Sequence, residues 1–261
     1  DFASNTKLST RGIRRILGLI SPWVPTKIIS NSHQARDVHA QIGYVYEKMI
    51  VIPNGFDLEI WRANSVARDS VRKELGLVSE VFLIGLVARY HPQKDHRTFM
   101  RAAGSIAAKY PNVHFVLCGL NVDHENQLLL SLIDATNHKE RFHLLGRRSD
   151  IPRLTASFDI ATSSSSYGEA FPTTLGEAMA CEVPCVTTNV GDAAQIVADH
   201  GIIVPAKNAE ALAAAWEKIY LLGVDERQKL GQASREHIRT NYSLDQVVSS
   251  YENLYTQILN E

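Results

Sequence analysis

The residues best suited to chemistry fall into two short stretches. In residues 85–95, Arg89 ends an apolar run and Lys94 follows a turn containing Pro92, just before a helix expected to begin at Asp95 or His96. Two cations at a strand end and a helix start converge on an anion. The plainer alternative is a pair of surface cations, with Arg89 neutralised by a carboxylate. In residues 163–180, a four-serine run leads through Gly168 and Glu169 into Ala170, Phe171, Pro172, Thr173, Thr174 and Leu175, with Glu177 about one turn into a helix. Thr173 or Thr174 is suited to cap that helix, whose first-turn N–H groups and dipole favour an anion. Carboxylates such as Glu169 and Glu177 accept hydrogen bonds from the paired hydroxyls of a ribose or hexose. Singly, each glutamate also reads as a solvated or dipole-stabilising residue. Together they bracket a Phe-Pro-Thr-Thr turn, which those plain readings do not explain.

The elements that must hold these residues alternate. Short apolar runs at 49–52, 81–88, 113–118, 142–145, 158–162, 184–187 and 202–204 read as buried strands. Between most of them lie stretches of helical period, such as 98–109, 125–136, 175–181 and 209–222. Continuous apolar strands alternating with amphipathic helices predict an α/β domain with a doubly wound parallel sheet, Rossmann-like and covered on both faces. Such sheets bind ligands beyond the carboxyl ends of their strands, where both stretches fall. Residues 1–53 hold two helix-like stretches and a short strand before the breaker Pro53-Asn54-Gly55, and residues 244–261 form one amphipathic helix that Ser243 is suited to cap.

Composition narrows the classes. With 27 basic and 28 acidic residues, the net charge of -1 carries no excess for nucleic acid. Cys118, Cys181 and Cys185 sit among apolar residues and read as reduced core thiols. That thiol usage fits a reducing compartment, so a cytoplasmic protein is expected, with peripheral contact at the inner face of a membrane as a further option, and no apolar run reaches the roughly 18 residues of a spanning helix. The ten histidines show no pair at ligand spacing, and no metal is expected. His91 and His96 flank the cation loop, where they could approach a ligand, but they read more readily as solvated or capping residues. Residues 10–27 place Arg11, Arg14 and Arg15 beside Ile13, Ile16, Leu17, Ile20 and Trp23. That pattern suits a helix with one core face, or one resting on an anionic membrane.

The ensemble resembles the retaining GT-B glycosyltransferases of group 1, also called GT4. Glu169 and Glu177 match the family's E-x7-E motif, and Arg89 and Lys94 match its Arg…Lys pair. Residues 52–57 look like its linker, 144–150 like its base-binding loop, and 190–197 and 201–205 like its following segments. The resemblance runs unbroken from about residue 25 to 260.

It implies a donor-binding site for a UDP-, GDP- or ADP-sugar. Arg89 and Lys94 would hold the diphosphate, Glu177 the ribose and Glu169 the sugar. The backbone from Ala170 through Phe171, Pro172, Thr173 and Thr174 to Leu175 would meet sugar and phosphate. Gly119 and the backbone at Arg147 and Arg148 would flank the base. Fixed cations and a helix terminus would stabilise the leaving diphosphate, with no cofactor and no metal. The acceptor is unspecified, a lipid-linked glycan being one candidate.

The resemblance also implies domains: an acceptor-side remnant with linker at 1–53, the nucleotide-sugar-binding domain at 54–243, and a helix at 244–261 packing back toward the amino-terminal part. Complete relatives have a whole Rossmann-like domain before the linker, so the chain reads as a fragment or a degenerate copy. Glu182 stands where the family usually has a glycine ending a helix, and Gln195 replaces a frequent acid. A non-catalytic nucleotide-sugar-binding module is the competing reading. A GT-B epimerase or phosphorylase shares the fold but uses other motifs.

Overall fold

The structure, a computed structural model, describes residues 8–260. In chain order it holds α1 (Leu8–Ile20), β1 (Ile28–Ser30), α2 (His33–Gln41), β2 (Met49–Val51), α3 (Ser65–Glu74), β3 (Phe82–Val87), α4 (His96–Lys109), β4 (Val113–Cys118), α5 (Gln127–Asp134), β5 (Phe142–Leu144), α6 (Ile151–Thr155), β6 (Ile160–Ser163), α7 (Thr173–Ala180), β7 (Cys185–Thr188), α8 (Ala193–Val197), β8 (Gly201–Val204), α9 (Ala209–Leu221), α10 (Gly223–Tyr242) and α11 (Leu244–Asn260).

Six strands make one parallel sheet in the order β5-β4-β3-β6-β7-β8. The chain winds outward from β3 on one side, then returns to β6 and winds outward on the other. The strand order therefore reverses between β3 and β6, and a crevice opens there beyond their carboxyl ends.

Period-two alternation sorts each strand between two cores. Phe82, Ile84 and Leu86 of β3 face α4 and α9, joining Phe99, Phe115 and the fully buried Trp216. Leu83 and Val87 face the other side, with Leu154, Phe158, Leu175, Met179, Ile196 and Ile238. Gly85 on that side is required by packing: a Cβ there would lie 2.2 Å from the Phe158 ring. Trp216 also satisfies its one donor, Nε1 lying 2.9 Å from Thr162 Oγ1.

The amino-terminal segments form a small parallel pair, β1 with β2. The linker then pairs with the junction of α10 and α11: Phe56 N–H donates to Tyr242 O and Leu244 N–H to Phe56 O. From that crossing α11 turns back, and Val247 and Leu254 pack on Ile50 and Ile52. Ser243 Oγ accepts from Gln246 N–H at 3.4 Å.

Candidate functional site

The loops after β3 and β6 are stitched together across the reversal point. Gln93 Nε2 donates to Gly168 O at 2.9 Å, Ser166 N–H to Gln93 O at 2.8 Å, and Ser164 Oγ to Lys94 O at 2.7 Å. Asp95, in the left-handed region at φ 46°, caps α4 by accepting from Thr98 N–H and Oγ1. Lys94 is thereby fixed over the β6 loop, and its Nζ lies 2.5 Å from Glu169 Oε1. Ser165 Oγ donates to the same oxygen at 2.6 Å.

Arg89 differs from Lys94. Ala88 and Tyr90 continue the β4 ladder through Cys118 O and Leu120 O, so alternation carries Arg89 to the face of Leu83 and Val87. It is exposed, and among the described residues no carboxylate pairs with it. Gly119 lies directly against it: a Cβ there would stand 2.2 Å from Ala88 O and 2.8 Å from Arg89 N. Gly119 N–H also donates to Gly146 O at 2.8 Å, tying the loops after β4 and β5 together.

Helix α7 corrects one expectation. Its N-cap residue is Pro172, which has no side-chain cap bond, and Thr173 and Thr174 are its first two residues rather than its cap. Pro172 also lacks an N–H, so the loop can offer a ligand amides at Phe171, Thr173 and Thr174 but not between. Phe171 is buried against Phe56 and Tyr242, with ring centroids 6.1 Å and 5.8 Å away. Leu175 is buried in the core. Glu177 borders a small cavity with Gly85, Val87, Thr162 and Thr174. Burial holds its carboxyl above the usual range, opposed by a hydrogen bond with Thr173.

Arg147 is exposed on the loop after β5. The Arg148 guanidinium is engaged elsewhere, by Glu74 Oε1 at 2.5 Å and both Asp150 oxygens at 2.7 Å, while Arg153 completes the network. These bonds hold Asp150 well below the ordinary carboxylate range and raise Arg148. The Arg148 side chain is thus committed within the protein.

The structure also places residues that the sequence did not single out. A cleft of about 690 Å³ opens beside Glu169, walled by Ser166, Tyr167, Asn189 and Gly191 on one side and by Gln34, Val38 and His39 of α2 on the other. The rule that ligands gather at strand ends could have found the Asn189–Gly191 side, beyond β7, but nothing local marked α2. A second cavity of about 720 Å³ lies at the opposite, amino-terminal end of the sheet, around Phe82, Asn112, Asp159 and Pro184. Its Asp159 serves structure: it accepts from Arg68, Arg72 and Leu83 N–H at 2.6–2.7 Å.

Histidine expectations change as well. His91 does cap, accepting from Gln93 N–H at 3.2 Å. His96 is neither solvated nor capping; it is buried beneath Tyr90 with no hydrogen-bond partner on either nitrogen, and burial lowers its pKa to about 4. Two histidine pairs form across the fold, His114 with His143 and His200 with His237, at ring separations of 5.5 Å and 4.8 Å. Among the described residues no three His, Cys, Asp or Glu side chains gather as metal ligands, and no helix is long and apolar enough to cross a membrane. Cys118, Cys181 and Cys185 are free and buried.

The strand order defines a doubly wound α/β protein. Within that class the chain belongs to the glycosyl transferases group 1, whose family model matches residues 67–237. It is 30% identical over 192 residues to UDP-Gal:alpha-D-GlcNAc-diphosphoundecaprenol alpha-1,3-galactosyltransferase of Escherichia coli, covering 72% of this chain and 49% of that protein. It is 28% identical over 239 residues to N-acetyl-alpha-D-glucosaminyl L-malate synthase of Bacillus anthracis, covering 91% of this chain and 59% of that one. The chain thus spans about half the length of the curated relatives it matches. Anabaena Alr3699/HepE in complex with UDP and glucose superposes with a TM-score of 0.84 at 22% identity, covering 95% of this chain and 67% of that one. The fold is GT-B.

Proposed function

We propose that this chain binds a nucleotide diphosphate-sugar and supplies the donor half of a retaining, GT4-like glycosyl transfer. The observation that carries the reading is Arg89, exposed and without a carboxylate partner among the described residues, at the end of β3 where the sheet order reverses to β6, the strand whose loop leads into an α7 terminus that no side chain caps. Arg89 and Lys94 take the diphosphate. Glu177 takes the ribose hydroxyls, Glu169 the sugar, and Gly119 with the backbone at Arg147 and Arg148 flanks the base. The relatives' names, one a UDP-Gal transferase, and a structural neighbour complexed with UDP support that donor class.

In the proposed reaction the bond between the anomeric carbon and the diphosphate oxygen breaks, and negative charge grows on that oxygen. Fixed cations and the first-turn amides of α7 stabilise it without needing to reorient. Charge-assisted hydrogen bonds of this kind contribute about 1.5–3 kcal/mol each. The acceptor oxygen bonds to the same face of the sugar, and its proton passes to the leaving phosphate. No metal or other cofactor is invoked. The proposed domain division sets residues 1–53 as the acceptor side, 54–243 as the donor domain and 244–261 as the returning helix.

A lipid-linked glycan is the proposed acceptor class, met at the cytoplasmic face of a membrane. Ile13, Ile16, Leu19 and Trp23 are exposed on and just after α1, where Arg11, Arg14 and Arg15 also lie. Flotation with phosphatidylglycerol vesicles tests that contact, and absence of the protein from the floating vesicle fraction would remove it.

Titration calorimetry with UDP, GDP and ADP against the matching nucleosides tests donor binding. Replacing Arg89 and Lys94 together by alanine should abolish the preference for diphosphate; a retained preference would refute the paired-cation site. Glu177→Ala should weaken nucleoside binding itself. The anomeric configuration of the product, read by NMR, tests retention. Nucleotide binding without turnover would instead favour the non-catalytic module.

A further inference from the structure

The turn after β7 reaches both walls of the cleft. Gly191, at φ 63°, lies so close to the β6 loop that a Cβ there would stand 2.4 Å from Glu169 O, and Asp192 N–H donates to Ala170 O at 3.0 Å. The Asp192 side chain points the other way. It is 4% exposed, and its two carboxylate oxygens accept from His33 N–H at 2.7 Å and Gln34 N–H at 2.9 Å. Those are the first two residues of α2, 159 and 158 positions away in sequence.

Helix α2 is therefore capped from two sources. Ser32 Oγ accepts from Ala35 N–H at 3.0 Å, as an ordinary N-cap does. That bond lies within one segment and fixes nothing across the cleft. Asp192 supplies the remaining first-turn acceptors from the other wall, and its charge also favours the helix dipole. Gln34, Ala35, Val38 and His39, which face Glu169 across the cleft, lie in the first two turns of the helix so held.

We propose that Asp192 is a positioning residue that holds α2 at a fixed distance from the Glu169 loop, setting the width of the gap through which an acceptor reaches the sugar. The importance of that width rests on the donor reading above, because displacement of reacting groups by about 1 Å can cost roughly 10²-fold in rate. The clamp itself does not depend on that reading and can be measured without nucleotide.

The experiment places nitroxide labels at Asp37→Cys on α2 and Glu125→Cys on the sheet domain, both exposed, while the three native cysteines are buried. The pulsed dipolar distance should be single and narrow in the labelled parent. Adding Asp192→Asn should at least double its width or add a longer population, with UDP affinity within twofold of the parent. His33→Pro breaks the same contact from the other side without touching Asp192, because proline is tolerated at the first helical position and lacks the N–H. It should broaden the distance likewise, and it keeps the test decisive if Asp192 variants misfold. Ser32→Ala, which removes only the local cap, should leave the distance narrow. An unchanged distribution in both Asp192→Asn and His33→Pro, or equal broadening by Ser32→Ala, would overturn the assignment. Failure of the parent to bind UDP would count against the donor reading and leave the clamp standing.

Discussion

Lys94 and Glu169 are 75 residues apart in the chain, and their charged atoms are 2.5 Å apart in the fold. The cation proposed for a diphosphate and the carboxylate proposed for a sugar neutralise each other across the crevice between β3 and β6. A donor phosphate would compete with Glu169 for the Lys94 charge, and a sugar hydroxyl could then share the carboxylate.

That relationship gives an asymmetric prediction. Glu169→Gln frees Lys94 from a competing ion pair of order 1 kcal/mol. UDP, which carries no sugar, should bind the variant about fivefold more tightly, while a UDP-sugar should lose its advantage over UDP. Calorimetric titration of both ligands checks this; equal weakening of both would mean that Glu169 does not compete for Lys94.

Gly119→Ala tests the contact that seats Arg89. The added methyl would meet Ala88 O and Arg89 N well inside van der Waals distance, so the backbone of one loop must move. Overpacking of this kind costs about 1–3 kcal/mol of stability. UDP affinity should fall by about tenfold, since a shift of roughly 1.4 kcal/mol in binding is a factor of ten. Full affinity in the variant would show that Arg89 does not depend on Gly119.

Glu182 offers a gain in stability. It follows α7 at φ 61°, in the left-handed region where a side chain costs about 1–2 kcal/mol. Glycine removes that strain but adds freedom to the unfolded chain, so Glu182→Gly should stabilise by about 0.5–1 kcal/mol. A rise of about 1–4 °C in a thermal melt is the expected reading. A lower melting point would mean that the Glu182 side chain contributes more than its backbone costs.

Stability should fall in mild acid. His96 titrates at about 4 in the folded protein, below the 6.5 of an unperturbed histidine, because burial disfavours its charged form. The unfolded chain therefore takes up the proton first. The stability is fully present above about pH 6.5 and is lost as the pH falls toward 4, on the order of 3 kcal/mol for a shift of this size. His143, lowered to about 4 by burial beside His114, acts in the same direction. Urea melts at pH 7 and pH 5 should separate in the parent, and His96→Leu should narrow the gap. An equal gap in the variant would remove His96 as a cause.

What the sequence determined by itself was local. Apolar runs alternating with helical periods mark the six strands of the main sheet and helices α4, α5, α7, α9 and α11, because side-chain period follows directly from backbone geometry, whereas α3, α6, α8 and α10 are not read from it. The same reading put Arg89 at a strand end, Lys94 before a helix and Glu177 one turn into another, since each position depends only on near neighbours. Tertiary structure alone decided the pairings. The Lys94–Glu169 contact, the Asp192 carboxylate on α2, the facing histidines and the linker's bond to Leu244 all join segments far apart in the chain. Even the cap of α7 was settled by the loop that leads into it, where Pro172 took the place that Thr173 and Thr174 were suited to fill. Alternation tells a residue which face it occupies, but strand order and helix docking choose what stands opposite, and those follow from how the whole apolar surface is buried at once.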